Sequence, residues 1–159
     1  MDEAAKKKAL RMIPYGLFVV CAQHGDSVAA GTMNWITQTS FKPPLVALAV
    51  KADSKPWEVI KEAGAFAVSV LDKAHKEMAQ AFFRPAELQD GKLNGYPVEP
   101  APVTGQPILK DAIAWWECRV VRILEEGDHH LFLGEVVEAG VRREGSPLVL
   151  WDTGFFYGG

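Results

Sequence analysis

Cysteine is nearly absent from this chain: Cys21 and Cys118 are the only two in 159 residues. They lie far apart and form no C-x-x-C, so they provide neither a disulfide framework nor a zinc ribbon. The expectation is two reduced, buried thiols in a cytoplasmic protein. Positive charge does not dominate either, since 17 Lys and Arg face 20 Asp and Glu for a net charge of −3. With no long basic run, the chain lacks the electrostatic footprint of a nucleic-acid binder. Long apolar runs are missing too, and the strongest stretch, near residues 43–50, is too short to cross a bilayer. The opening residues, Asp2 and Glu3 followed by Lys6 to Lys8, lack the apolar core of a secretion signal. Histidine is scarce, and the one dense group, Glu125-Glu126-Gly127-Asp128-His129-His130, is read as a solvated turn. Successive strand residues there would point to opposite faces, so no metal is expected. No repeat or linker interrupts residues 1–159, which are expected to fold as one domain.

What the chain does have is apolar content of 48%, enough for a globular core. Its organising stretch runs from Gly31 to Trp57. Thr32, Asn34, Thr37, Gln38, Thr39 and Ser40 crowd hydrogen-bonding side chains ahead of a Pro43-Pro44 corner. Leu45 to Val50 is a continuous apolar run, the pattern of a strand covered on both faces. Ser54-Lys55-Pro56 then reads as a helix entry, with Ser54 as cap, Pro56 in the first turn and Lys55 adding charge. A helix start with free N–H groups, a hydroxyl and a lysine is suited to phosphate. Beside the polar segment it points to a ligand with a flat hydrogen-bonding head and a phosphate tail.

The remaining pattern is mostly β. Residues 3–12 predict a short helix, 16–22 and 27–35 a hairpin, 54–63 a helix, 66–71 a strand and 73–83 a second long helix. From Arg84 to Pro107 periodicity vanishes and five prolines accumulate, so a long functional loop is expected. Residues 112–124 and 129–141 form two long strands around the Glu126-Gly127-Asp128 turn. A last strand is expected at 147–151, before the aromatic segment Phe155-Phe156-Tyr157. The strands outnumber the helices and are joined by short turns. The predicted fold is therefore mainly β, a closed antiparallel Greek-key split β-barrel with peripheral α-helices.

Four blocks carry a resemblance. They are Thr32 to Val50 with its Pro-Pro-Leu-Val corner, Phe66-Ala-Val-Ser-Val-Leu71, Ala114-Trp-Trp-Glu-Cys-Arg-Val-Val121, and Gly127-Asp-His-His-Leu-Phe-Leu-Gly-Glu-Val-Val137. In order and spacing they resemble the flavin reductase family with the FMN-binding split barrel, and the Trp35-Ile-Thr-Gln-Thr-Ser-Phe41 version is similar to its flavoredoxin-like branch. The resemblance implies a homodimer that binds FMN, or FAD, and takes hydride from NADH or NADPH. A redox protein or an oxygenase component is the implied acceptor. It also implies that Thr32, Asn34, Trp35, Thr39 and Ser40 line the flavin ring and ribityl chain, with Ala49, Val50 and Lys51 beside them. Ser54 and Lys55 would take the phosphate, Phe82, Phe83 and Arg84 would sit close to the flavin, and His129 would meet the nicotinamide. Two residues depart from the family pattern. Pro56 stands where a hydroxyl residue is usual, and Trp35 follows Asn34 in place of Ser.

In such chemistry the cofactor supplies reactivity and the protein supplies placement, so no nucleophile or acid–base pair is required. Two alternatives stay open at this point. One is an FMN-binding electron carrier fed by a redox protein. The other is a split-barrel oxidase of a pyridoxal-type substrate, which the Gly127-Asp-His129 block disfavours.

Overall fold

The structure is a computed structural model that describes residues 1–159. Along the chain it places α1 (Glu3–Leu10), β1 (Phe18–His24), β2 (Ser27–Met33), β3 (Ile36–Ser40), β4 (Leu45–Lys51), α2 (Lys55–Ala63), β5 (Ala65–Val70) and α3 (Lys76–Ala81). Short strands β6 (Leu88–Gln89), β7 (Lys92–Leu93), β8 (Tyr96–Pro100) and β9 (Pro107–Leu109) follow. The long strands β10 (Ala114–Leu124) and β11 (His129–Val141) come next, and a 3₁₀ turn spans Leu150–Asp152. No helix is long and apolar enough to cross a membrane.

Seven strands form one antiparallel sheet in the order β2-β1-β5-β10-β11-β4-β3. Its two edge strands, β2 and β3, are consecutive in the chain and joined only by Asn34-Trp35. No backbone ladder links them, so the circle expected of a closed barrel is not completed by hydrogen bonds. The mainly β character and the peripheral helices are as expected.

Two buried clusters pack on opposite faces of the sheet. One gathers Leu48, Phe66 and Phe132 under Trp57, Val59 and Ile60 of α2. The other gathers Val19, Cys21 and Leu71 with Met78 of α3, Leu93 and Leu109. Gly134 lets β11 lie close to this first cluster, since a Cβ there would stand 2.8 Å from the Cys118 Cβ and 2.9 Å from the Phe66 ring. Both thiols are free and buried, and burial pushes each up to about 12.

Several local expectations are corrected. The 84–107 stretch is not patternless: it contributes a second sheet, β6-β7-β8-β9. Asp90 and Gly91, then Asn94 and Gly95, take positive φ (52°, 73°, 48° and 88°), which makes two tight turns between very short strands. β4 is not covered on both faces. Val46, Leu48 and Val50 are buried while Leu45, Ala47 and Ala49 are half-buried, the signature of one core face and one open face. α3 starts at Lys76 instead of near 73. The turn before it is closed by Asp72 N–H donating to His75 Nδ1 and Ala74 N–H donating to the Asp72 carboxylate. Strict alternation along β10 fails at bulges after Glu117 and Val120, so neighbouring Glu117 and Cys118 are both buried. The 147–151 stretch makes only single bridges, Gly16 to Val149 and Asp72 to Pro147, before its 3₁₀ turn.

Glu117 is fully buried, and its carboxylate accepts the N–H groups of Val103 (2.8 Å) and Thr104 (2.6 Å) together with the Thr104 hydroxyl. A carboxyl group buried this deeply is tolerated only because donors replace its water. It fastens the 101–106 turn to the main sheet.

Candidate functional site

A cavity of about 680 Å³ opens where the end of β2, the end of β4 and the start of α2 converge. Such a volume falls in the range of small-molecule sites. Several chain segments build it. β2 delivers Thr32 and leads into Asn34 and Trp35. β4 delivers Ala49, Val50 and Lys51, and the turn into α2 delivers Ser54 and Lys55. The residues after α3 deliver Phe82, Phe83 and Arg84. His129 opens β11 opposite Lys51 and also faces the cavity. Thr39 and Ser40 do not line it. They sit on β3, an edge strand beyond Trp35, with Thr39 exposed and Ser40 half-buried.

Several polar groups expected at the ligand already have work. The Thr32 hydroxyl donates to the Ala79 carbonyl at 2.6 Å, and its N–H donates to the Phe82 carbonyl at 3.3 Å, tying β2 to the end of α3. Ser54 caps α2: its hydroxyl donates to the Lys51 carbonyl at 2.7 Å and accepts the Trp57 N–H at 3.3 Å. Pro56 has no N–H to offer. The helix start therefore presents the unpaired Lys55 N–H and the Lys55 ammonium to an anion. Lys51 lies 3.6 Å from Asp53 at the rim, and Arg84 reaches the Asn94 carbonyl at 3.4 Å. Lys51, Lys55 and Arg84 face the cavity, and no Asp or Glu lines it. The charge balance therefore favours an anionic ligand.

Sequence reasoning missed the opposite wall, made by Leu150, Phe155, Phe156 and Tyr157. The Tyr157 hydroxyl hydrogen-bonds His129 Nε2, while His129 Nδ1 lies 2.9 Å from the Asp128 carboxylate. Asp128 is held below the usual carboxylate range by the hydrogen bond from His129 and then by its charge, so it stays ionised and acts as acceptor. An ionised Asp128 can only accept, which puts a proton on Nδ1; in the neutral ring Nε2 is then the acceptor for the Tyr157 O–H. Burial, with the Asp128 charge second, pushes the Tyr157 phenol above its ordinary value, so this donor keeps its proton. Trp35 stands edge-on to both rings, with centroids 4.6 Å from His129 and 5.3 Å from Tyr157. Its indole N–H is buried without a partner. The Asn34 amide donates to the Tyr157 carbonyl at 3.3 Å. Three aromatics flanked by glycines were a visible signal, but nothing local tells where such a segment docks.

His130 points away, its ring edge-on to Trp57 at 4.7 Å and its Nδ1 buried without a partner. The Glu125–His130 turn thus divides its two histidines between the cavity and the core.

Comparison with known proteins fits this geometry. The reductase component of 4-hydroxyphenylacetate 3-monooxygenase from Thermus thermophilus is 33% identical over 155 residues, covering 95% of this chain and 93% of that protein. Among solved structures, BorF, the flavin reductase component of a bacterial two-component tryptophan halogenase, superposes with a TM-score of 0.80 at 28% identity, covering 96% of this chain and 95% of that one. The Streptomyces globisporus NADH:FAD oxidoreductase SgcE6, solved with NAD and FAD fragments, gives a TM-score of 0.78 at 29% identity over 91% of this chain and 86% of its own. The family profile described as flavin reductase like domain matches residues 10–159, and this chain belongs to that family.

Proposed function

We propose that residues 1–159 form a single flavin-dependent oxidoreductase domain that transfers hydride from NADH or NADPH to FMN, with FAD as the alternative flavin, and on to an acceptor. The observation that carries this is the cavity of about 680 Å³ with aromatic walls, three cationic residues and no carboxylate. A flavin fits that inventory: a flat ring needs apolar faces and a few edge hydrogen bonds, and its phosphate needs positive charge. The orphaned Trp35 N–H and the unpaired Lys55 N–H are donors still waiting for an acceptor.

When bound, the flavin supplies the hydride chemistry. The chain supplies placement. Lys55, through its ammonium and N–H, holds the phosphate with Lys51 and Arg84 nearby. Asn34 and Trp35 meet the ring edge, Phe82 and Phe83 exclude water, and Ala49 and Val50 flank the ring from β4. His129, held in one tautomer by Asp128, turns Nε2 toward the cavity as an acceptor for the nicotinamide carboxamide N–H.

The seven-stranded sheet is proposed to curl into the split barrel of the family, with the Greek-key order implied by its connections. A homodimer would cover the open face of β4 and the exposed apolar residues Phe41, Ile123, Leu124 and Val141. In that pairing Thr39 and Ser40, on the edge strand, would lie closer to a second copy than to their own cavity. The free, buried thiols suit the reducing cytoplasm. The Thermus and BorF relatives are named as components serving a monooxygenase and a halogenase. A partner oxygenase component is the acceptor we infer here.

The test is the visible spectrum of purified, FMN-loaded protein before and after anaerobic NADH or NADPH. Bleaching by either supports the enzyme. A second reading, an FMN electron carrier fed by a redox protein, is favoured by Tyr157 sitting on His129. It requires a yellow protein that neither nicotinamide bleaches.

A further inference from the structure

The 154–159 segment crosses one side of the cavity and is tied down on both of its faces. Inside, the Tyr157 hydroxyl hydrogen-bonds His129 Nε2, and the Tyr157 carbonyl accepts from the Asn34 amide. Gly158 closes over Trp35, so that even a Cβ placed on it would lie 3.7 Å from the indole nitrogen. Outside, Arg11 Nε donates to the Gly158 carbonyl at 3.1 Å, and its guanidinium lies 5.3 Å from the centre of the Phe156 ring. Arg11 closes α1, a helix that buries none of its residues and lies, but for Leu10, outside the stretch matched by the family.

This arrangement is poorly optimised as permanent packing. It leaves the Trp35 N–H without a partner, which is a net cost. It leaves Phe156 at 75% and Tyr157 at 44% exposure, so little apolar burial offsets that cost. Tyr157 also spans two polar groups that face the ligand: the acceptor on His129 and the donor on Asn34. A carboxamide N–H can replace the Tyr157 O–H on the same acceptor, since each places one hydrogen there. A flavin edge carbonyl can replace the Tyr157 carbonyl on Asn34. The segment therefore imitates at each end the group that would displace it.

We propose that residues 154–159 are a displaceable strap that fills the nicotinamide half of the cavity, latched from outside by Arg11, with Tyr157 as the placeholder on His129. The proposal rests on the flavin and nicotinamide reading of this cavity. Dinucleotide binding then requires the strap to leave. Apparent affinity is reduced by the fraction of molecules in which it has left. The hydrogen bond at Tyr157, in net terms, sets that factor at about two- to tenfold.

The experiment is calorimetric binding of NAD⁺ and NADP⁺ to the FMN-loaded protein, where no turnover occurs. It compares the unaltered chain with Tyr157→Phe and Arg11→Ala. Tyr157→Phe keeps the ring and removes only the hydroxyl, while Arg11 lines no part of the cavity. Both variants are expected to bind the preferred dinucleotide about two- to tenfold more tightly. Their melting temperature should stay close to that of the unaltered chain, FMN should bind no more weakly than to it, and amide exchange at 155–158 should quicken. Unchanged or weaker binding in both variants overturns the strap while leaving the hydride function standing. Tightening in one alone overturns the two-point latch. Absence of dinucleotide binding in all three, with FMN retained, removes the nicotinamide site itself and the strap with it.

Discussion

Ser54 donates its hydroxyl to the Lys51 carbonyl at 2.7 Å, so one side chain both closes β4 and fixes the start of α2. The same oxygen accepts the Trp57 N–H, which leaves Lys55 as the residue free to meet a phosphate. Lys55→Ala should weaken FMN far more than riboflavin, because only FMN carries the charged group. A charge-assisted contact predicts a loss of about 1.5–3 kcal/mol for FMN. Ser54→Ala should instead lower stability by about 1 kcal/mol through the lost cap and affect the two flavins alike. Parallel flavin titrations decide the matter. Equal losses for both flavins in Lys55→Ala would remove it from the phosphate site.

A second prediction concerns acid. His75 Nδ1 accepts the Asp72 N–H at 3.0 Å, and the Asp72 carboxylate accepts N–H groups from Ala74 (3.2 Å) and Ser146 (3.1 Å). Burial is the main cause holding His75 below the ordinary histidine value, while the Ala74 and Ser146 N–H groups hold Asp72 below the ordinary carboxylate value. The sign is the same for both. A depressed folded pKa gives stabilisation that is complete above the unfolded value and lost as pH falls through the folded one. His75 should therefore contribute fully above about pH 6.5 and fail below it, with Asp72 following only below about pH 3.9. The melting temperature should drop as pH falls below about 6.5. In His75→Ala it should start lower and vary less over that fall. Parallel curves for the two proteins would show that His75 is not the sensor.

The parts of the fold legible in the sequence are those set by neighbouring residues. Ser54-Lys55-Pro56 announced α2 because a cap and a first-turn proline act over three residues, and Gly64, at φ 64°, ends the helix as expected of a left-handed cap. The Asp90-Gly91 and Asn94-Gly95 turns were equally local. They were outweighed by the prolines around them, which do not prevent strands of two residues. The site was half legible. β2, β4 and α2 gave their residues by order along the chain. Tyr157 meets His129 across 28 positions and Asn34 across 123, and no periodicity encodes such pairings. Glu117 was equally hidden. A charge in a strand reads as solvent-facing until the 101–106 turn supplies its donors.

A third prediction follows from the open face of β4 and from the exposed apolar residues in and beside the main sheet. Phe41 is 90% and Val141 81% exposed, an unfavourable arrangement for an isolated chain. The dimer proposed above predicts a melting temperature and flavin retention that rise with protein concentration. Sedimentation at several concentrations, with absorbance followed at the flavin band, checks both. A monomer that keeps its flavin on dilution would reject the dimer.

His129 and His130 supply the last prediction, because adjacent residues of β11 give opposite environments to the same ring. His129 stands in the cavity with Nδ1 at 2.9 Å from Asp128 and Nε2 bonded to Tyr157. His130 packs edge-on against Trp57 and leaves its Nδ1 buried without a partner. His129→Ala removes the acceptor proposed for the nicotinamide carboxamide but none of the groups proposed for the flavin. Flavin reduction by NADH or NADPH should slow about tenfold, from ~1.4 kcal/mol for one positioning hydrogen bond, while FMN affinity stays nearly unchanged. His130→Ala removes core contacts, so its cost should fall on stability and not on the rate. Rapid mixing of FMN-loaded protein with the nicotinamide under anaerobic conditions, alongside melting of both variants, separates the two roles. Equal slowing in both variants would mean that β11 acts through general packing. An unchanged rate in His129→Ala would assign its ring to holding Tyr157 alone.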